Sequence, residues 1–271
     1  MKKILKTFHR LSKSVAQNML ERPLAPAKEI PVLTIGMSNE NRPILSYKIG
    51  HGPHKVIFVS AIHGNETGTV TLGYRLINHF YVNREKYKDF SLFIVPCLNP
   101  DGYAQAKKHP DYLHFGRIGR FNANKVDLNR NYANASFQSQ AIWTRGKDYS
   151  ERIPVFAGNK GNSEPETQVL TNFILKENIS LWIAFHSVGK DVMGNHNSLA
   201  QELATLFSKV SGFDLMTEAK WKELQQTGTP KEWCDEHALA YLEIEASTRY
   251  GSDWKNQKTA LEAVLNHISQ S

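Results

Sequence analysis

Residues 55–60 read "KVIFVS", an almost unbroken apolar run, and residues 61–68 read "AIHGNETG". The helix-like stretch "TVTLGYRLINHF" (69–80) follows. A short apolar run of this kind reads as a strand covered on both faces. His63 and Glu66 lie three apart at the strand-to-helix turn, where Gly64 allows the backbone to bend sharply. Two readings are open at this point. The stretch is a turn that carries polar residues, or it is half of a metal site whose remaining ligand arrives from elsewhere.

Four more strand-like runs surround it: "ILSYKI" (44–49), "SLFIVP" (91–96), "LWIAFH" (181–186) and "AYLEIE" (240–245). Helical patterns lie near 66–80, 164–178, 198–210 and 256–268. Strands that alternate with helices argue for an α/β domain with a largely parallel or mixed sheet. "SEPE" offers Ser163 as the N-cap of the helix near 164, with Pro165 in the first turn and Glu166 closing a capping box. From Asn99 to about Lys160 the chain fits no regular pattern. Its Asn, Gly, Arg and aromatic content reads as a set of binding loops, and "NPDG" (99–102) reads as a β-turn.

At 271 residues the chain can bury a substantial core as one domain. Its 41% hydrophobic and 22% charged residues are ordinary for a globular protein, and no window is long and apolar enough to span a membrane. The formal charge of +7 sits almost wholly in a leader. Residues 1–28 hold +6, because Lys2, Lys3, Lys6, Arg10, Lys13, Arg22 and Lys28 face only Glu21. The body is then near neutral and offers no nucleic-acid surface. Residues 1–30 read as a basic leader with a helix docked on the body, and 31–271 as the main domain. Contact of that leader with an acidic membrane surface is the alternative. The leader's interrupted apolar pattern is unlike a secretory signal, and Cys97 and Cys234 have no CxxC spacing. Reduced thiols and a cytoplasmic location are expected.

Ligands of open α/β sheets bind beyond the carboxyl ends of the strands. His63 and Glu66, "NPDG", "DLNRNY" (127–132) and His186 all follow strand-like runs or lie in the long loop. Two imidazoles and a carboxylate are a common catalytic zinc set that leaves one position for water. The same set also suits non-haem iron.

The motifs "HGNE", "NPDG", "RFNANKVDLNRNY", "SEPET", "AFHS" and "YLEIE" occur in that order between residues 63 and 245, within a stretch of similarity from about 44 to 268. In them the sequence resembles the zinc carboxypeptidase family, closest in style to its bacterial murein tripeptide amidases. The resemblance implies a three-layer α/β/α sandwich with a mixed central sheet of about eight strands. It implies one Zn2+ held by His63, Glu66 and His186. Asp127 would bond the first histidine and fix its tautomer. Asn129 and Arg130 would grip a terminal carboxylate of the substrate, Arg120 would face the scissile carbonyl, and Glu245 would be the catalytic acid/base. The family's threonine–apolar–glutamate pattern places Glu245 there. Glu243, two residues earlier on the same strand face, is the rival, as Arg117 is to Arg120.

The implied reaction is hydrolysis of an amide bond next to a free carboxylate in a peptide or acylated amino acid, with the γ-D-glutamyl–diaminopimelate bond of murein as one candidate. An N-acyl amino acid deacylase of the succinylglutamate desuccinylase or aspartoacylase type and a non-catalytic peptide-binding module are the alternatives. One departure stands out: "KELQQTGT" (222–229) lacks the tyrosine that digestive relatives carry shortly before the glycine matching Gly228. Lys231, or Thr229 near it, would then lie by the specificity pocket and favour an acidic group.

Overall fold

In a computed structural model, which describes residues 25–26, 28–109, 116–145 and 150–270, all five apolar runs are strands of one sheet. The leader helix expected at the N-terminus lies outside the described residues. In chain order the strands are β1 (Val32–Met37), β2 (Pro43–Ile49), β3 (His54–Ser60), β4 (Phe90–Val95), β5 (Gln140–Arg145), β6 (Glu151–Phe156), β7 (Leu181–Ser187), β8 (Asp191–Gly194), β9 (Asp214–Leu215) and β10 (Ala240–Ala246). The helices are α1 (Thr67–Val82), α2 (Pro100–Lys108), α3 (Pro165–Glu177), α4 (Ser198–Ser211), α5 (Glu218–Glu223), α6 (Pro230–Glu236) and α7 (Trp254–Ile268).

Eight strands form the main sheet in the order β1-β2-β4-β3-β7-β10-β8-β9. The central four, β4-β3-β7-β10, run parallel. β2 and β8 flank them antiparallel, so the sheet is mixed. Parallel strands are covered on both faces, and alternation along β3 shows how. Val56 and Phe58 pack with Leu72, Leu76 and Phe80 of α1, Leu203 and Phe207 of α4, and Leu261 and Leu265 of α7. Ile57 and Val59 pack with Leu170 and Phe173 of α3 and Trp233 of α6. This is the three-layer α/β/α arrangement. Among the described residues no helix is long and apolar enough to cross a membrane.

The chain leaves β3 for β4 on one side and later returns to β7 on the other. The carboxyl ends of β3 and β7 therefore flank a switch in strand order, where a crevice forms. Three sequence expectations are corrected here. The stretch 99–160 is not only loop: it holds α2, a single 3-10 turn at Leu128–Arg130, and the β5–β6 hairpin. "NPDG" opens a helix rather than a β-turn. Asn99 caps α2, its Oδ1 accepting from Gly102 N at 2.8 Å, with Pro100 in the first turn. Ser163 is not the cap of α3; that position is Glu164, and its side chain makes no cap bond.

"SEPET" holds a different structure together. The buried Glu164 and Glu166 accept from the side-chain amide of Asn122, at 2.7 and 3.2 Å, and Glu164 also accepts from Asn124 at 2.9 Å. These bonds pin the "NAN" segment between Arg120 and Asp127. Two motifs far apart in sequence are thus one buried polar network, with its acceptors satisfied as burial demands.

Candidate metal centre and substrate cleft

The turn after β3 is fixed by its neighbours. Ala61, not Gly64, takes the left-handed conformation, with φ 51°. Gly64 is required by crowding, since a Cβ there would sit 2.2 Å from Tyr103 N. Asn99 joins this turn to the next, its Nδ2 reaching Ile62 O at 3.4 Å and Arg120 O at 3.3 Å. Glu66 occupies the N-cap position of α1 yet makes no side-chain cap bond. Its carboxylate is turned to His63 instead, Oε1 lying 3.0 Å from Nδ1.

His186 ends β7 beside that turn. Its Nδ1 is 3.3 Å from His63 Nδ1 and 3.2 Å from Glu66 Oε2. One donor atom from each of the three residues lies within 4.8 Å of the others, and all three residues are buried. Glu66 Oε2, apart from that approach of His186, and His186 Nε2 are buried atoms with no hydrogen-bond partner among the described residues. Two imidazole nitrogens that face each other and a carboxylate oxygen beside them, all in buried residues, are a donor set that fits a divalent cation. Burial opposes charge on Glu66, but the His63 and His186 charges outweigh it and hold the carboxyl well below its usual range.

Asp127 sits on the far side of His63, with Oδ1 3.1 Å from Nε2. That contact assigns the Nε2 proton and leaves the Nδ1 lone pair facing the cluster. Arg120 donates from Nε and Nη2 to Asp127 Oδ2, at 3.0 and 2.9 Å. It lies over the Trp143 ring at 4.2 Å, and its Nη1 is turned to His63 Nδ1 at 3.4 Å. Burial alone would raise the Asp127 carboxyl; Arg120 and His63 hold it well below the usual carboxylate range.

Arg130 is buried, 1% exposed, on the 3-10 turn that Asp127 caps. It donates through Nε to Ile142 O at 3.0 Å and through Nη1 to Asn129 O at 2.8 Å. No described carboxylate forms an ion pair with it, and burial lowers its pKa. Asn129 Oδ1 is also buried without a partner. The β5–β6 hairpin carries this turn, since Asp127 N bonds Phe156 O on one strand and Arg130 bonds Ile142 on the other.

His63, Glu66, Arg120, Asn129, Arg130 and Glu245 line one cleft of about 180 Å³. Glu245 pairs in register with His186 across β10 and β7, and its Oε2 accepts from Gly189 N at 3.3 Å. Burial, followed by the charges of Glu66, Asp191 and Glu243, raises its carboxyl well above the usual range. A bound cation would counter that. Glu243 lines the cleft too, but its Oε2 accepts from the Tyr241 hydroxyl at 2.8 Å. Arg117 is exposed and does not line the cleft.

The expected site residues are therefore brought together. Lys231 and Thr229 do not line the cleft. Thr229 caps α6, and Lys231 is buried and paired with Asp235 at 3.2 Å and Glu218 at 3.6 Å. No tyrosine lines the cleft among the described residues; Trp143 and Trp221 do. Sequence reading missed Asp191, Trp143 and Arg249, which also line it. Asp191 opens a four-residue strand with no motif around it. Its carboxyl is pushed up to about 7 by burial and then by Glu243 and Asp214.

The sequence pattern of the zinc carboxypeptidase family matches residues 27–270. The chain is similar to the human carboxypeptidase N catalytic chain, 31% identical over 173 residues, covering 55% of this chain and 37% of that one. It is similar to murein peptide amidase A of Escherichia coli strain K12, 31% identical over 118 residues, 42% of this chain and 43% of that one. The chain thus spans less than half the length of these relatives. A solved murein-tripeptide amidase from Escherichia coli O157 shares the fold, with TM-score 0.64 and 22% identity over 92% of this chain and 97% of that one. Matched along nearly its whole length, the chain belongs to the zinc carboxypeptidase family, a family of hydrolases.

Proposed function

We propose that this protein hydrolyses an amide bond adjacent to a free carboxylate, with one zinc held by His63, Glu66 and His186. One observation carries the reading: His63 and Glu66 of a buried imidazole–carboxylate–imidazole set line the same cleft as Arg130, a buried cation that forms no ion pair with a described carboxylate. Bound there, zinc supplies Lewis acidity, polarising the amide carbonyl and acidifying water.

The chain's own residues do the rest. Arg130 receives the terminal carboxylate, and Asn129 orients it. Arg120 keeps two nitrogens on Asp127, and its Nη1, on the His63 side of the site, is the donor left for the reacting carbonyl, where negative charge develops. Glu245 takes a proton from the attacking water and delivers it to the leaving nitrogen. Asp127 holds the His63 tautomer. Asp127→Ala is expected to weaken zinc binding by roughly 10–100-fold, read by competition with a chromogenic chelator.

The finer substrate is proposed from likeness to murein peptide amidase A: the γ-D-glutamyl–diaminopimelate bond of murein peptides. Cys97 and Cys234 are free thiols, in keeping with a reducing, cytoplasmic setting. The test is metal analysis together with product analysis on murein tripeptide, its carboxyl-amidated form and N-succinyl-glutamate. One zinc per chain and cleavage of the free-carboxylate tripeptide alone are expected. Turnover of N-succinyl-glutamate alone would move the protein to the deacylases, and iron in place of zinc would end the metal assignment.

A further inference from the structure

We propose that Trp143 is a positioning residue for Arg120: its indole face fixes the plane of the guanidinium, and with it the place of the nitrogen that Asp127 leaves over. The proposal rests on the hydrolysis argued above, in which Arg120 meets the reacting carbonyl.

A guanidinium is planar and rigid. Arg120 Nε and Nη2 both donate to the same oxygen, Asp127 Oδ2, at 3.0 and 2.9 Å. Two bonds that converge on one oxygen hold an edge of the group but leave it free to rock about that point. Nη1, on the other side of Cζ, would travel furthest. The Trp143 ring removes this freedom, because its centroid lies 4.2 Å from Arg120 Cζ. A cation is drawn to the negative face of an indole, and most strongly where water is excluded. Arg120 is 5% exposed and Trp143 is 7% exposed. Asp127 therefore sets the edge of the guanidinium and Trp143 its tilt, with Nη1 left on the His63 side at 3.4 Å from Nδ1.

The ring is itself held in place. It packs in the core of the β5–β6 hairpin with Ala141, Val155 and Ala157, opposite Ile153 in the ladder. Its six-membered end lies against bare backbone: a Cβ at Gly116 would sit 2.9 Å from Trp143 Cη2. The Gly116 carbonyl accepts from Asn65 Nδ2 at 2.9 Å, and Asn65 stands between His63 and Glu66 in the turn after β3. The neighbours of Trp143 on β5 hold other parts of the cleft. Ile142 O accepts from Arg130 Nε at 3.0 Å, and Thr144 Oγ1 donates to Leu224 O at 2.8 Å. One strand thus sets the spacing between the carboxylate anchor and the donor to the carbonyl oxygen. An aliphatic side chain at 143 would fill the same space without a flat, negative face.

The test measures murein tripeptide hydrolysis by zinc-loaded Trp143→Leu and Trp143→Phe, with Trp143→Leu repeated in an Arg120→Ala background. Trp143→Leu is expected to lower kcat about 30-fold, with KM within about twofold of wild type and one zinc retained. Trp143→Phe keeps an aromatic face and should stay within about threefold of wild type. With Arg120 gone, Trp143→Leu should cost less than about twofold more, since the ring then has nothing to position. A second readout needs no turnover: exchange of the Arg120 Nε–H with water, followed by NMR on protein labelled with 15N-arginine. It should be about tenfold faster in Trp143→Leu and near wild type in Trp143→Phe. Equal kcat losses in both backgrounds would overturn the proposal, as would unchanged exchange in Trp143→Leu. Faster exchange in Trp143→Leu, with no peptide cleaved by wild type, would keep the ring's hold on Arg120 and remove the hydrolase reading. Cleavage by wild type with exchange unmoved would do the reverse.

Discussion

Glu245→Gln is expected to lower kcat by about three orders of magnitude, within the range for loss of a positioned general base, while one zinc per chain is retained. The substitution keeps size and an acceptor for Gly189 N, the one hydrogen bond Glu245 accepts among the described residues, so the fold around it should persist. What is lost is the ability to take a proton from water and return it to the leaving nitrogen. Because Glu245 lies outside the three-donor cluster, metal content separates this loss from damage to the ligand set. Glu243 is placed worse for the same work. It is opposite Ala184 rather than His186 in the ladder, and one of its oxygens is already occupied by Tyr241. Near-normal kcat in Glu245→Gln, with collapse in Glu243→Gln, would transfer the role.

What could be read from sequence follows from where selection by burial is strong. The core strands announce themselves because both faces must be apolar, as Val56 to Val59 show. β1 could not be seen in this way: Val32, Leu33 and Met37 are exposed at the sheet edge, and an edge strand need not keep a pattern. β5 and β6 form a separate two-stranded sheet, with Pro154 and several charged residues obscuring strand character. The metal donors were legible because each ends an apolar run or stands in a turn beside one. Asp191 was not, because a carboxylate opening a four-residue strand looks like a loop acid until its burial is known. "SEPET" was legible as a motif but misread as a cap. Its glutamates serve Asn122 and Asn124, partners some 40 residues earlier, and local rules contain no information about such a pairing.

Arg130→Met should lower kcat/KM on a free-carboxylate peptide by about 10³-fold, the scale of losing one partner of a buried charge pair, and should not lower the thermal unfolding midpoint. The two expectations have one cause. In the free protein Arg130 is a buried charge with no ion pair to a described carboxylate: two carbonyls accept from it, and Asp127, Glu243 and Glu232 act on it only through space. Methionine forfeits those two bonds but removes the desolvation of a cation, which costs several kcal/mol when uncompensated. The site thus holds a charge that weakens the fold and is neutralised when substrate arrives. A cycle makes the assignment quantitative. Wild-type enzyme should reject the carboxyl-amidated peptide by a similar factor, whereas the methionine variant should cut the free and amidated forms at nearly equal, low rates. If it instead keeps the preference for the free carboxylate, the anchor is another cation of the cleft. Arg249, which also lines it, would then be the residue to change, and Arg130 would be left with the packing of the 3-10 turn as its work.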